Sequence, residues 1–186
     1  FAEAHNNLGN TMMDQGRFED ATESYGQAIT LKANYAEAHC NLANASRKLN
    51  RIDDARESYR RALELKYDFP EAHNNLGSAL KEQGRLSDSE ESYRRAIALR
   101  SDYSEAHFNL GVVLHAMVRN DEAEVSMRQA VALNSEFAAA HGQLGSILKT
   151  LGRLSEAEAS CRLAIKLKTD YAEAHHILAK VLYLNH

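Results

Sequence analysis

Residues 2–35 read AEAHNNLGNTMMDQGRFEDATESYGQAITLKANY, and the same phrase returns every 34 residues to the end of the chain. Its histidine marks the beat at His5, His39, His73, His107, His141 and His175. Ala-Glu-Ala-His stands again at 36–39 and 172–175, Pro-Glu-Ala-His at 70–73, Ser-Glu-Ala-His at 104–107 and Ala-Ala-Ala-His at 138–141. A fixed period over a whole chain means one small unit copied and stacked. Complete copies occupy 2–35, 36–69, 70–103, 104–137 and 138–171, and a partial copy occupies 172–186. The expected domain is therefore one array over 1–186.

Within the first copy, Ala4, Leu8 and Met12, and then Ala21, Tyr25, Ala28 and Ile29, fall in two blocks at helical spacing. Gly16 lies between the blocks, where a left-handed glycine ends a helix without a Cβ penalty. Each copy is thus a helix pair, and the chain is predicted to be all-α, with about 11 helices from five pairs plus one. The Gly16 slot holds Asn50, Gly84, Val118 and Gly152 in later copies. Valine is disfavoured in the left-handed region, which predicts a shifted turn at 117–121 using Asn120. Ser87-x-x-Glu90 and Ser155-x-x-Glu158 read as capping boxes for second helices. Asn34, Asp68, Asp102 and Asp170 read as N-caps of the following first helices, and Pro70 suits a first helical turn.

Small residues recur where helices must approach closely. Gly9, Ala43, Gly77, Gly111, Gly145 and Ala179 share one slot, and Ala28, Ala62, Ala96, Ala130 and Ala164 share another. Large ones fill the gaps between them, among them Leu8 and its copies, then Tyr25, Tyr59, Tyr93, Met127 and Cys161. The pattern His5-x2-Leu8-Gly9-x2-Met12, followed by Ala21-x3-Tyr25 and Ala28, resembles the tetratricopeptide repeat (TPR), with histidine in place of an aromatic. The proline that often closes that repeat is replaced by Ala33, Tyr67, Ser101, Ser135 and Thr169. The resemblance implies a right-handed superhelical solenoid of antiparallel helix pairs, whose first helices line a concave groove.

Composition narrows the function classes. The chain is 44% hydrophobic and 26% charged, values of an ordinary soluble, folded protein. A net charge of −4 argues against nucleic acid as a partner. No apolar run approaches the ~18 residues that a membrane span requires. Cys40 and Cys161 occupy different slots and read as reduced packing residues. A cytoplasmic location is the expectation.

The candidate binding residues are Asn7, Asn41, Asn75 and Asn109, followed in the same slot by Gln143. They stand two residues beyond the histidine, outside the packing slots. A side-chain amide offers a donor and an acceptor, and so can pair with the N–H and C=O of an extended backbone. Together with Asn-Leu-Gly/Ala and the preceding Asp-Phe/Tyr, this ladder is similar to the TPR region of O-linked N-acetylglucosamine transferases. That resemblance implies peptide binding by Asn7, Asn41, Asn75, Asn109 and Gln143. It implies no catalysis, because the chain carries no transferase domain. The competing reading is that these amides pair along the stack and stabilise it.

Arg47, Lys81 and Lys149 share a later slot, with Lys48 beside them, and offer groove charges that would select acidic peptides. The same cations also suit helix C-termini, where they offset the macrodipole. A carboxylate clamp of the chaperone type is disfavoured, since Glu71 stands where a cation is needed. Glu3, Glu37, Glu71, Glu105 and Glu173 fit first-turn dipole stabilisation. Arg17, Arg51, Arg85, Arg119 and Arg153 recur too regularly for a unique site and point to a turn role.

The histidines are separated by about two helix diameters, roughly 20 Å, whereas zinc ligands must come within ~2.1 Å of one ion. Each is therefore expected to be a packed ring with one hydrogen-bond partner. No nucleophile–base pair or phosphate loop stands out, so no cofactor and no enzyme activity are expected. Three readings stay open: a module that binds an extended polypeptide, a substrate-recruiting arm of a glycosyltransferase, and a scaffold that self-associates through its ends. The last rests on Ile177, Leu178, Val181, Leu182, Tyr183 and Leu184, an apolar stretch with no second helix after it, and on Phe1. It carries the expectation that the natural chain continues in both directions.

Overall fold

The computed structural model describes residues 1–184, in which eleven α-helices and no strand are found. In chain order the pairs are α1 (Ala2–Asp14) and α2 (Phe18–Leu31), α3 (Ala36–Lys48) and α4 (Ile52–Leu65), α5 (Pro70–Glu82) and α6 (Leu86–Leu99), α7 (Ser104–Ala116) and α8 (Asn120–Leu133), and α9 (Ala138–Thr150) and α10 (Leu154–Leu167), then α11 (Ala172–Leu184). None is long and apolar enough to cross a membrane. The chain forms two compact units, one over residues 1–99 and one from Arg100 onwards.

Each unit is layered in the same way. In the first, α1 packs on α3 and α3 on α5, while among the described residues the second helices α2, α4 and α6 make no such contact with one another. In the second, α7 packs on α9 and α9 on α11, with α8 and α10 likewise apart. The first helices therefore stand on the inner side of each unit's curve. Alanine makes this closeness workable: Ala28, Ala62, Ala96, Ala130 and Ala164 are all fully buried. So does Gly77, where a Cβ would stand 2.8 Å from Tyr93 Cε1. On α11, Ile177 and Val181 are buried against the unit, whereas Tyr183 and Leu184 face solvent.

The turn inside each pair follows one hydrogen-bond scheme. Gly16 N–H donates to Met13 C=O and Arg17 N–H to Met12 C=O, which is the Schellman ending of a helix. The same pair of bonds closes α3 at Asn50, α5 at Gly84, α7 at Val118 and α9 at Gly152. The expected shift at 117–121 does not occur. Val118 itself takes the left-handed conformation at φ 63°, and Asn120 opens α8 instead. Two recovered backbone bonds outweigh the strain of one exposed valine.

The expected caps are also displaced. α6 and α10 begin at Leu86 and Leu154, so Ser87 and Ser155 lie inside the first turn and form no capping box. The preceding arginine reaches instead to the acid three residues on: Arg17 Nε to Asp20 at 2.6 Å, and Arg85 to Asp88, Arg119 to Glu122 and Arg153 to Glu156, each at 2.7 Å. The N-caps of α3, α5, α7 and α9 are Tyr35, Phe69, Tyr103 and Phe137, without a side-chain cap bond. Asn34, Asp68 and Asp102 lie one residue too early, as does Asp170 before Tyr171. A cation selects the aromatic: Lys32 Nζ sits 4.6 Å from the Tyr35 ring centre, Lys66 4.7 Å from Phe69 and Arg100 3.6 Å from Tyr103. Lys32 and Lys66 also reach Glu3 and Glu37 at 3.4 and 2.8 Å, which binds the loop to its own first helix.

The histidines close the loops between pairs. A carbonyl oxygen only accepts, so each ring carries its proton on Nε2. His39 donates to Ala33 C=O (3.1 Å), His73 to Tyr67 (3.0 Å), His107 to Ser101 (3.1 Å), His141 to Ser135 (3.0 Å) and His175 to Thr169 (2.9 Å). The accepting residue is in every case the one at the missing-proline slot. Burial lowers the His73 pKa below its ordinary 6.5, Arg95 adds to this, and the bond to Tyr67 and the charge of Asp68 oppose it. Cys40 and Cys161 are buried and unbonded, and burial pushes their thiols up to about 12 and about 11.

Two outcomes follow. Val118 is exposed, so Val118→Gly removes strain of ~1–3 kcal/mol against up to ~1 kcal/mol of added unfolded-state entropy. A gain of about 1 kcal/mol is expected, raising the melting temperature by roughly 2–4 °C; a fall would show that this turn is unstrained. The second outcome concerns His73. An unfolded chain binds a proton at this histidine as pH drops through about 6.5, while the folded chain resists, so stability falls on acidification through that window. His73→Phe keeps a ring but removes both the loop bond and the titration. Denaturant midpoints should lie below wild type at pH 7, with a shallower decline between pH 7 and 5.

Candidate functional site

The five predicted ladder residues fall on first helices, Asn7, Asn41 and Asn75 in one unit and Asn109 and Gln143 in the other. Asn7 is exposed, Asn41 and Asn75 are half-buried, and Asn109 is buried. The structure ties most of them into the stack. Asn41 Nδ2 donates to Asn6 Oδ1 at 3.0 Å and to Asn10 Oδ1 at 3.2 Å. Asn75 Nδ2 donates to Asn44 Oδ1 at 3.0 Å, and Asn75 Oδ1 accepts from Asn74 Nδ2 at 3.4 Å. Gln143 Nε2 donates to Glu173 on the next first helix at 2.8 Å.

The acceptors Asn10 and Asn44 belong to a second row that sequence reasoning missed. Each also takes a phenol from its own second helix: Tyr25 OH donates to Asn10 Oδ1 at 2.8 Å and Tyr59 OH to Asn44 Oδ1 at 2.6 Å. Burial pushes the Tyr25 phenol up to about 12 and raises Tyr59 as well, so both stay protonated donors. Tyr93 OH and Ser78 Oγ pair at 3.1 Å in the third copy. Three helices meet at one oxygen, which sets the spacing of the ladder. A signal was available in the copies themselves. Asn10, Asn44 and Ser78 share one slot and each is matched by a tyrosine, whereas Val112 is matched by Met127 and Ser146 by Cys161.

Of the candidate groove charges, Arg47, Lys48 and Lys81 belong to the first unit and Lys149 to the second. Arg47 Nε lies 3.7 Å from Glu82, and its Nη1 is buried without a partner. Lys48 is exposed and Lys81 half-buried. Lys149 lines a cavity of about 490 Å³ with His176, Ala179, Lys180, Tyr183 and Leu184.

This architecture is widely shared. Solved structures with the same fold include PilF of Pseudomonas aeruginosa, at 24% identity and a TM-score of 0.89 over 98% of this chain and 84% of that one. MamA follows at 24% and 0.79, over 89% of this chain and 97% of that one. YrrB, described as a TPR protein with an unusual peptide-binding site, is 21% identical with a TM-score of 0.76, over 95% and 91%. At these identities the likeness establishes the fold. No curated protein matches the sequence. Family models described as TPR repeat match residues 9–46, 43–84 and 77–118, and those described as tetratricopeptide repeat match 104–137 and 138–171. With its helix pairs, inner first-helix faces and repeat models all in register, the chain belongs to the tetratricopeptide repeat family, whose members are protein–protein interaction modules.

Proposed function

We propose that the first-helix faces bind the main chain of an extended polypeptide, using Asn7, Asn41 and Asn75 on one unit and Asn109 and Gln143 on the other. The observation that carries this is the state of the amides. Inter-repeat bonds hold Asn41 and Asn75 at repeat spacing while leaving part of their capacity unused. A primary amide has two N–H groups and an oxygen with two lone pairs. Asn41 commits both N–H groups to Asn6 and Asn10, which leaves its oxygen to accept a peptide N–H. Asn75 gives one N–H to Asn44 and retains the other for a peptide carbonyl. Asn41 and Asn75 thus offer an acceptor and a donor in turn, as an extended backbone requires. YrrB, with its described peptide-binding site, supports peptide capture as within the means of this fold.

Lys48, Lys81 and Lys149 would favour a partner with acidic side chains, and Arg47, already beside Glu82, contributes less. The resemblance of Asn-Leu-Gly/Ala to the arms of O-linked N-acetylglucosamine transferases makes substrate recruitment for such an enzyme the more specific form of this proposal.

Main-chain capture predicts indifference to side chains. Calorimetric titration with two flexible peptides, one alternating Ser and Ala and one alternating Thr and Gln, should give similar affinities. Each ladder bond is worth about 0.5–1.5 kcal/mol, so Asn7→Ala should weaken both about 2–10-fold with no change in melting temperature. Asn41→Ala and Asn75→Ala should lower binding and stability together, because they also break inter-repeat bonds. Unchanged binding in all three variants would leave the ladder a purely structural device.

A further inference from the structure

In an array of copies, residues that break the pattern locate what is particular to this chain. Tyr67 is such a residue. Its slot holds Ala33, Ser101, Ser135 and Thr169 elsewhere, and the residue is 59% exposed. Arg95 of α6 stacks on that ring at 4.3 Å, and His73 of α5 meets it edge-on at 5.7 Å. Arg95 lies 3.9 Å from Asp68, and its Nε is buried with no hydrogen-bond partner. The stack fixes the guanidinium plane, so a donor is held in place without an acceptor.

This cluster lines a cavity of about 530 Å³ between the second helices α4 and α6, floored by His73 and Leu76 of α5. A second cavity of about 340 Å³ continues it along the same seam, sharing Leu76, Glu91 and Ser92. Together they reach from Arg85, just before α6, to Ala98 near its end. At ~1.5 Å per helical residue this is roughly 20 Å, the length of about six residues of extended chain. The walls carry Arg56, Arg60, Arg85, Arg94 and Arg95 against Asp88 and Glu91. Asp53, Glu57, Asp68 and Glu90 stand beside these arginines outside the lining, so the cations face the cavity and the acids flank it. Arg60 and Arg85 pair with Glu57 and Asp88 in water-exposed contacts, the weak kind that an incoming carboxylate can replace, whereas Arg56 also donates to Gln83 and Arg94 pairs with the more buried Glu90.

We propose that the α4/α6 seam is a second peptide-binding site, on the side of the unit away from the ladder, and that it takes an extended acidic segment of a partner protein. One carboxylate meets the exposed edge of the Arg95 guanidinium, and a neighbouring apolar side chain lies over Leu63, Leu76 and the Tyr67 ring.

The test uses substitutions that the array already tolerates in the same slots. Tyr67→Ser copies Ser101 and Ser135, and Arg95→Gln copies Gln27 and Gln129. The full chain, labelled with nitrogen-15, is titrated with the capped peptide Gly-Glu-Leu-Glu-Phe-Glu-Gly and with its Gln-for-Glu counterpart. Circular dichroism checks that each variant stays helical, and if one does not, the other decides. The expected result is shifts confined to α4, α6 and the Arg95 Nε–H, with affinity falling about tenfold or more in each folded variant and with the Gln peptide. Shifts confined to the first helices, a Gln peptide that binds equally well, folded variants that bind like the parent, or no shift at millimolar peptide would each overturn the proposal.

Discussion

One bond recurs at every junction between helix pairs: a histidine Nε2–H reaching the carbonyl six residues before it. A helix pair cannot bury its own apolar face, so the angle at which it passes the chain to the next pair decides whether stacking succeeds. The ring spans the loop and restrains its backbone. It also replaces a restraint, since the residue whose carbonyl it holds stands where this family often places proline. With the loop closed from the ring side, that position is free to vary, and Tyr67 can stand there half in solvent. The cations on Tyr35, Phe69 and Tyr103 complete the junction from the other side.

Most of the fold was legible because it is written many times. The 34-residue period, the glycine and alanine slots and the count of helices all come from repetition, which averages out local ambiguity. The misreadings share a cause. Ser87, Ser155, Asn34 and Asp68 are good caps by local preference, yet a neighbouring contact moved each helix start: two residues earlier at Ser87 and Ser155, where arginine meets acid, and one residue later at Asn34 and Asp68, where a cation meets an aromatic ring. Val118 was misjudged similarly. Its own preference is against the left-handed region, but two backbone bonds and a flanking register shared with four other turns hold it there. Tertiary context overrode propensity at each point.

The candidate site was legible by position and only half legible by role. Spacing placed the asparagines in a row, but not the fact that Asn41 and Asn75 are bonded to the copy before them. That required the second row, Asn10 and Asn44, whose purpose appears only once Tyr25 and Tyr59 are seen to donate to the same oxygens. Structure and recognition are therefore not alternatives along this row. The bonds that stabilise the stack also aim the amide groups that remain. Singular residues carry a different kind of information, since nothing in the repeat explains an arginine stacked on Tyr67.

Each compact unit holds one cysteine, Cys40 in the first and Cys161 in the second. Both thiols are buried, with pKa values pushed far above neutrality, so neither offers a thiolate to an alkylating reagent while its helices stay closed. Reaction must wait for a local opening. The chain thereby contains its own pair of clocks. Mass spectrometry after brief exposure to iodoacetamide would time the breathing of the two units separately, in one sample and with no label introduced.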